Sequence, residues 1–216
     1  IDFGLERAAF LHIVDVLEQR RSPEETQRIE HMLFEGQSVL VQVIKDPINS
    51  KGARLSTQIS LAGRFLVHLP QEDHIGISQR IEDDAERNSL RERLTNRLPE
   101  DACHCYIIRT NAENSTDEQL LSDIHYLTKV WEHIQEQAKI QPPETLLYQD
   151  LPLSLRVLRD MFSLDTQKIL VDSTENHRRM TRFAEQYVHG ALGKIELFKG
   201  ERPLFETHNV EQEISR

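Results

Sequence analysis

The fold of this chain is decided by two adjoining stretches, EGQSVLVQVIKDP at residues 35–47 and KGARLSTQISLAGRFLV at residues 51–67. In the first stretch apolar residues alternate over residues 38–45, and this period of two predicts a β-strand. Residues 49–52 are of the kind that form loops. A second extended run is predicted for residues 55–69, so the two stretches predict strands joined by a loop.

The rest of the chain carries alternating strand and helix patterns. Further strands are predicted within 1–15, where a strand pair is expected, and at 75–81, 104–110, 145–148, 168–171 and 194–198. Helices are predicted at 22–36, 83–98, from 115 onward, 153–162 and 173–189. From about residue 106 the alternation of strand and helix is typical of α/β units.

The helix that starts near residue 115 has the clearest pattern. Ser115 and Glu118 predict a capping box at its start. Its predicted buried stripe is Leu120, Ile124, Leu127, Trp131, Ile134 and Ala138. This pattern favours a core position over a binding role for Trp131, the only tryptophan of the chain.

The charge balance opposes binding of nucleic acid over the whole surface. The 216 residues include 36 acids and 26 lysines and arginines, which gives a formal net charge of −10. Between residues 45 and 64, however, four cations face one acid, Asp46. These cations are Lys45, Lys51, Arg54 and Arg64. They predict a focused basic patch on an acidic body.

Cysteine usage and hydropathy favour a cytoplasmic protein that does not enter a membrane. The only cysteines, Cys103 and Cys105, are expected to be reduced thiols. A metal site at Cys103-His104-Cys105 is disfavoured, because strand alternation sends His104 to the opposite face. No apolar run approaches the ~20 residues that span a bilayer, and residues 1–4 do not resemble a signal peptide.

The chemical motifs of the chain indicate phosphate recognition without catalysis. The chain has no phosphate-binding glycine loop, which weakens a nucleotide-metabolising α/β enzyme as an interpretation. Asp83-Asp84 is expected to stabilise the start of a helix, and Asp172 alone does not make a two-metal site. Arg109-Thr110 follows a buried strand, where a guanidinium and a hydroxyl can hold phosphate oxygens. Gly63 would let backbone approach a ligand closely.

These stretches, together with GISQRIE at 76–82, YIIRT at 106–110 and VEQEI at 210–214, closely resemble the ribonuclease E/G family. The resemblance is strongest to its ribonuclease G branch and runs through most of the chain in order. It implies an α+β protein of several subdomains. Residues 1–57 would be the C-terminal part of an OB-fold RNA-binding module, 58–154 a 5′-sensor subdomain, and 155–216 part of a ribonuclease-H-like subdomain.

The resemblance also assigns roles to six residues. In this family the 5′ sensor binds the 5′ monophosphate of RNA. Arg109 and Thr110 fall on the positions that grip the phosphate, and Gly63 and Val67 on positions that contact the terminal nucleotide.

Lys51 and Phe10 fall on OB-fold positions where a cation meets the RNA backbone and an aromatic ring stacks on a base. For Phe10, packing in the core is an equally open interpretation.

The resemblance implies a magnesium-dependent endoribonuclease that cuts single-stranded RNA in ribosomal RNA processing and messenger RNA decay. It implies that this chain is a piece of the catalytic half. The catalytic aspartates, the magnesium site and the zinc link between subunits of a homo-oligomer would lie elsewhere, so this piece would have no catalytic or metal-binding residue. The alternative is a non-catalytic RNA-binding or assembly module without 5′-end sensing.

Overall fold

The computed structural model describes residues 1–16, 29, 32–48, 51–98, 105–163 and 165–216. These residues form a mixed α+β structure with three β-sheets and six α-helices, which confirms the predicted class. The chain divides into two compact units, Ile1–Gln149 and Asp150–Arg216. None of the described helices is long and apolar enough to cross a bilayer.

The first unit begins with a three-stranded sheet of order β1-β3-β2. Its strands are β1 (Phe10–Leu11), β2 (Gln42–Lys45) and β3 (Arg54–Ser56). β3 runs parallel to β1 and antiparallel to β2. A small core covers one side of this sheet and consists of Ala9, Leu11, Val16, Ala53 and Leu55. The edge strand β2 is largely exposed.

A four-stranded sheet follows in the same unit, with the order β4-β5-β7-β6. Its strands are β4 (Leu61–Ala62), β5 (Leu66–His68), β6 (His74–Ile77) and β7 (Cys105–Ile108). β7 is antiparallel to β5 and parallel to β6. Helix α1 (Asp84–Thr95) packs near β6, and helix α2 (Asp117–Ile140) packs against β4 and β5.

Helix α1 forms as its sequence predicts. The Asp83 carboxylate caps it by accepting the Ala85 N–H at 3.0 Å, so this acid has the structural role expected of it. Leu90, Leu94 and Leu98 are all buried. The four-residue spacing of Leu90 and Leu94 therefore identified the buried face of α1, and Leu98 follows just after the helix.

Helix α2 begins one residue later than predicted and buries a different stripe. Thr116 and Gln119, rather than Ser115 and Glu118, form the capping box. Hydrogen bonds from Arg93 on α1 and then from Arg97, just after α1, lower the pKa of Asp117 in the first turn of α2. The buried residues of α2 are Leu120, Asp123, Tyr126, Leu127, Val130 and Ile134. Trp131 is only partly buried and Ala138 is exposed, because the stripe is rotated by about one residue.

The second unit contains a βαβ unit, as the alternating pattern predicts. Strands β8 (Ile169–Val171) and β9 (Ile195–Leu197) are parallel neighbours joined through helix α4 (Thr174–Tyr187). Helix α3 (Leu153–Met161) packs against α4. The short helices α5 (Leu204–Thr207) and α6 (Val210–Ile214) were not predicted.

Three strand predictions are wrong. Residues 1–15 hold one two-residue strand, which pairs with β3 rather than with a neighbour in that segment. The run 55–69 is divided among β3, β4 and β5, because the chain turns twice within it. Residues 145–148 form no strand. The predicted helix at 22–36 falls largely outside the described residues, and so do Cys103 and His104. The subdomain limits at 57 and 154 stay predictions.

His68 on β5 is a buried imidazole that favours its neutral form. It is 6% exposed, and its Nδ1 lies 3.3 Å from the carbonyl oxygen of Cys105. The Tyr106 ring lies beside it, at 4.9 Å between ring centroids. Burial lowers the pKa of His68 below its usual value, and the Cys105 hydrogen bond offsets this only in part.

We expect this histidine to make the fold less stable in acid. The unfolded chain binds a proton at His68 near pH 6.5, whereas the native chain binds it only at lower pH. The free energy of unfolding should therefore fall as the pH drops below about 6.5, by at most about 1.4 kcal/mol per pH unit for one proton. Urea unfolding of the wild type and His68→Gln from about pH 7.5 to about pH 5 measures this slope. The exposed His133→Gln is the control, and equal slopes for wild type and His68→Gln would contradict the assignment.

Candidate functional site

The turn between β4 and β5 holds the side chain of Arg109. The Gly63 N–H donates to the Leu66 oxygen at 2.8 Å and closes the turn. Arg109 continues β7, since its N–H donates to the Phe65 oxygen at 2.8 Å. Its guanidinium Nη1 donates to the carbonyl oxygen of Gly63 and, at 3.4 Å, to that of Arg64. Strand pairing thus brings together two predicted site residues, Gly63 and Arg109, that are 46 positions apart.

The remaining polar atoms of Arg109 and Thr110 are accessible to a ligand. Within the described part of the chain, Arg109 has no carboxylate partner, and its Nε and Nη2 have no hydrogen-bond partner. Thr110 starts a 3-10 turn, and its hydroxyl also has no partner among these residues. Both residues are half-buried. A half-buried guanidinium beside a hydroxyl suits an anion that offers several acceptor oxygens.

Val67 lies in a row of apolar residues that crosses the sheet. Val67 pairs with Ile107 on β7 and with Ala62 on β4, and Ile107 pairs in turn with Gly76 on β6. Alternation along β7 places Ile107 and Arg109 on the same face of the sheet. Val67 and Ile107 are half-buried, so this face is only partly covered. The row therefore places partly exposed apolar side chains on the face of the sheet that carries Arg109.

Asp123 is the residue of this site that the sequence did not reveal. Its side chain is in the buried stripe of α2 and the residue is 6% exposed. Oδ1 accepts the Arg64 N–H at 2.9 Å, and Oδ2 accepts the N–H groups of Phe65 and Leu66, both at 2.8 Å. One sequence signal could have indicated this residue. It is an acid three residues after Leu120, on a helix that has apolar residues on both sides of it. Such a buried carboxylate needs partners, and here the turn supplies them.

The same carboxylate explains why residue 63 is glycine. A Cβ built on Gly63 would lie 2.4 Å from Oδ2 and 2.6 Å from Oδ1 of Asp123. No real Cβ tolerates such contacts, so the Asp123 carboxylate occupies the space that a side chain would need. The close approach at Gly63 is therefore made, in this structure, by a group of the protein itself.

Phe10 and Lys51 lie on the other sheet of the first unit. Phe10 is 56% exposed, so its ring lies outside the core of the described residues, and it is 5.9 Å from the ring of His12. Lys51 is exposed and has no ion pair with any described residue. The segment of Lys51 passes against that of Phe10, since a Cβ on Gly52 would lie 2.1 Å from the Ala8 oxygen. The structure thus brings an exposed ring and an exposed cation to neighbouring segments.

The predicted basic patch has fewer available cations than the number counted in the sequence. Arg54 is bound to Asp15 through two hydrogen bonds, of 2.8 and 3.1 Å, which neutralises its charge. The Arg64 guanidinium lies 4.9 Å from the centre of the Phe65 ring. Lys45 and Lys51 are exposed without an ion pair among the described residues. Two lysines therefore remain as the open cations of this patch.

The sequence model of the Ribonuclease E/G family matches residues 60–216, a range that includes Gly63, Val67, Arg109 and Thr110. The chain belongs to this family. Ribonuclease E/G membership confirms the resemblance drawn from the sequence. Phe10 and Lys51 lie before the matched range, but the relatives described next cover them as well.

Curated members of the family match along the whole chain. The chain is 37% identical to ribonuclease G of Salmonella typhimurium, with all of the chain and 45% of that protein aligned. It is 34% identical to ribonuclease G of Haemophilus influenzae, over 99% of the chain and 45% of the relative. Ribonuclease E of Escherichia coli is 35% identical over 99% of the chain and 20% of its own length. The chain therefore spans less than half the length of these relatives.

Proposed function

We propose that this chain provides the RNA-binding and 5′-monophosphate-sensing part of a ribonuclease G-like endoribonuclease. The whole protein would cut single-stranded RNA in ribosomal RNA processing and messenger RNA decay. The observation that carries the proposal is the Arg109 guanidinium, which the carbonyl oxygens of Gly63 and Arg64 hold through Nη1 alone. Family membership and the ribonuclease G and E relatives support RNA as the ligand.

A terminal phosphate fits the open atoms of this site. Nε and Nη2 of Arg109 can donate two parallel hydrogen bonds to two phosphate oxygens, and the Thr110 hydroxyl can donate to a third. A 5′-hydroxyl end has no such set of acceptors. The terminal nucleotide would then lie along Val67 and Ile107, where the sheet is only partly covered.

The first sheet would bind RNA without regard to its end. Phe10 would stack on a base and Lys51 would contact a phosphate, as expected of an OB-fold module over residues 1–57. In this proposal 58–154 form the 5′ sensor and 155–216 part of a ribonuclease-H-like subdomain. The β8-α4-β9 unit supports the last assignment, because parallel strands joined by a helix are what an α/β subdomain requires.

Hydrolysis would belong to other residues of the whole protein. The described residues include no cluster of three or more His, Cys, Asp or Glu side chains that could hold a metal ion. We place the catalytic Mg²⁺ site and the zinc link of the whole protein, together with assembly into a homo-oligomer, outside these residues and expect a cytoplasmic enzyme. The 216-residue chain alone should bind RNA without cleaving it.

We expect Arg109→Ala to abolish a preference for 5′-monophosphorylated RNA. Bonds to a charged group are worth roughly 1.5–3 kcal/mol, so the wild type should bind the 5′-phosphate form about 10- to 150-fold more tightly than the 5′-hydroxyl form. Fluorescence anisotropy with a single-stranded RNA of about ten nucleotides, carrying either end, measures this ratio. It should be measured in the 216-residue chain and in the whole protein.

The matched control is Arg91→Ala, which removes an exposed arginine from helix α1 in the same unit. It should leave the ratio unchanged. Equal affinity of the wild-type whole protein for both RNAs would overturn 5′ sensing. Binding that is equal for both ends and falls with added salt would instead support the non-catalytic RNA-binding module.

A further inference from the structure

We infer that Asp123 is the positioning residue of the phosphate pocket. It fixes the turn Gly63–Leu66, and the carbonyl groups of that turn fix Arg109. The inference rests on the proposed function, because it assigns to Asp123 the geometry of the 5′ sensor. It concerns a residue that would touch neither the RNA nor the reacting atoms.

The turn is built around the carboxylate. Three consecutive backbone N–H groups, of Arg64, Phe65 and Leu66, converge on the two oxygens of Asp123 at 2.8–2.9 Å. Consecutive amides that point to one centre form a concave anion site. In this protein the anion is internal and comes from a helix that packs on the same sheet. These bonds are charge-assisted, and those of Phe65 and Leu66 are buried, so they define the path of the turn more strongly than neutral bonds would.

The path of the turn determines where the guanidinium sits. With their N–H groups directed at Asp123, the peptide units of this turn present the carbonyl oxygens of Gly63 and Arg64 to Nη1 of Arg109. The amides of Arg64, Phe65 and Leu66 are thereby occupied and cannot bind a phosphate. The terminal phosphate is left to Nε and Nη2 of Arg109 and to Thr110. Asp123 therefore selects which donors of this sheet edge face the ligand.

Replacement by asparagine separates charge from shape. Oδ2 of Asp123 accepts two N–H groups and Oδ1 accepts one. An amide has one acceptor oxygen, and its NH₂ group cannot accept a bond from a backbone N–H. Asp123→Asn therefore retains the volume of the side chain and loses at least one bond to the turn. Asp123→Glu retains the charge and moves it by one methylene, which disturbs the same bonds.

The experiment measures the affinity of Asp123→Asn for the same RNA with a 5′ phosphate and with a 5′ hydroxyl. We expect the ratio of the two affinities to fall about ten-fold, while affinity for the 5′-hydroxyl RNA stays within about two-fold. If Asp123 had only a structural role, the variant would bind both RNAs more weakly and the ratio of the two affinities would stay unchanged. Amide hydrogen exchange at residues 64–66 should accelerate in the variant and not in the exposed control Glu132→Gln.

The outcomes separate this inference from the proposed function. An unchanged ratio in Asp123→Asn, with the ratio lost in Arg109→Ala, would overturn the positioning role and leave 5′ sensing intact. A wild type that binds both RNAs with equal affinity would contradict both the positioning role of Asp123 and 5′ sensing. If Asp123→Asn does not fold, Asp123→Glu, which keeps the charge, replaces it in the experiment. The ratio of its affinities for the 5′-phosphate and 5′-hydroxyl RNAs is expected to fall in the same way.

Discussion

Replacing Gly63 with alanine is expected to lower the free energy of unfolding by about 2–4 kcal/mol and to remove the preference for a 5′ phosphate. The added Cβ would lie 2.4–2.7 Å from the carboxylate atoms of Asp123. Asp123 cannot simply rotate away, because it is 6% exposed and holds three N–H groups of the turn. The turn must shift, and its carbonyl bond to Arg109 shifts with it.

Thermal and urea unfolding measure the stability loss, which corresponds to a midpoint lower by roughly 5–15 °C for a chain of this size. Gly76→Ala is the control on the same sheet. There the nearest contact of an added Cβ would be Ile107 Cγ1 at 3.2 Å, the end of a side chain that can adjust. Its cost should stay below about 1 kcal/mol.

A double-mutant cycle tests the cause directly. Asp123→Ala removes the carboxylate with which the added Cβ of Gly63→Ala would clash. In that background, Gly63→Ala should therefore lower the free energy of unfolding clearly less than it does alone. The coupling should amount to about 1 kcal/mol or more, as for residues in contact. Strict additivity would show that the cost of Gly63→Ala has another origin, such as the conformation of the turn itself.

The sequence predicted the local parts of this site and missed the part made by tertiary contacts. It placed Arg109 at the end of a strand, because a short apolar run stops there. It did not reveal that a carbonyl 46 positions earlier would hold the guanidinium, since that depends on the pairing of β5 with β7. Strand pairing over such separations leaves no local pattern.

Helix α2 shows why the missing residue was Asp123. A stripe through Ile124 and Trp131 has nearly the same spacing as the buried stripe through Asp123 and Val130. On apolar content alone the first stripe is preferred, because it contains no charge. The structure buries the second, since Asp123 finds three N–H groups there. The helix can bury the stripe that contains Asp123 because the hydrogen bonds of its carboxylate offset the cost of burying a charge. The apolar content of that stripe is not the reason.

Phe10→Ala is expected to have the largest effect on the part of RNA binding that is independent of the 5′ end. Base stacking on an aromatic side chain is worth about 1–3 kcal/mol, so affinity for both RNAs should fall by roughly 5- to 150-fold. The ring is 56% exposed, and its loss should cost little stability. The ratio between the 5′-phosphate and 5′-hydroxyl forms should stay constant, because Arg109 lies on the other sheet.

Anisotropy titrations at several salt concentrations distinguish stacking from charge. Phe10→Ala should reduce affinity at every salt concentration by a similar factor, whereas Lys51→Ala should reduce the salt slope by about one counterion. Phe205→Ala is the matched control, since this ring is 47% exposed and lies in the second unit. An equal loss in Phe205→Ala would point to general surface hydrophobicity. A loss in Phe10→Ala confined to 5′-phosphorylated RNA would contradict a division of labour in which one sheet binds the strand and the other reads its end.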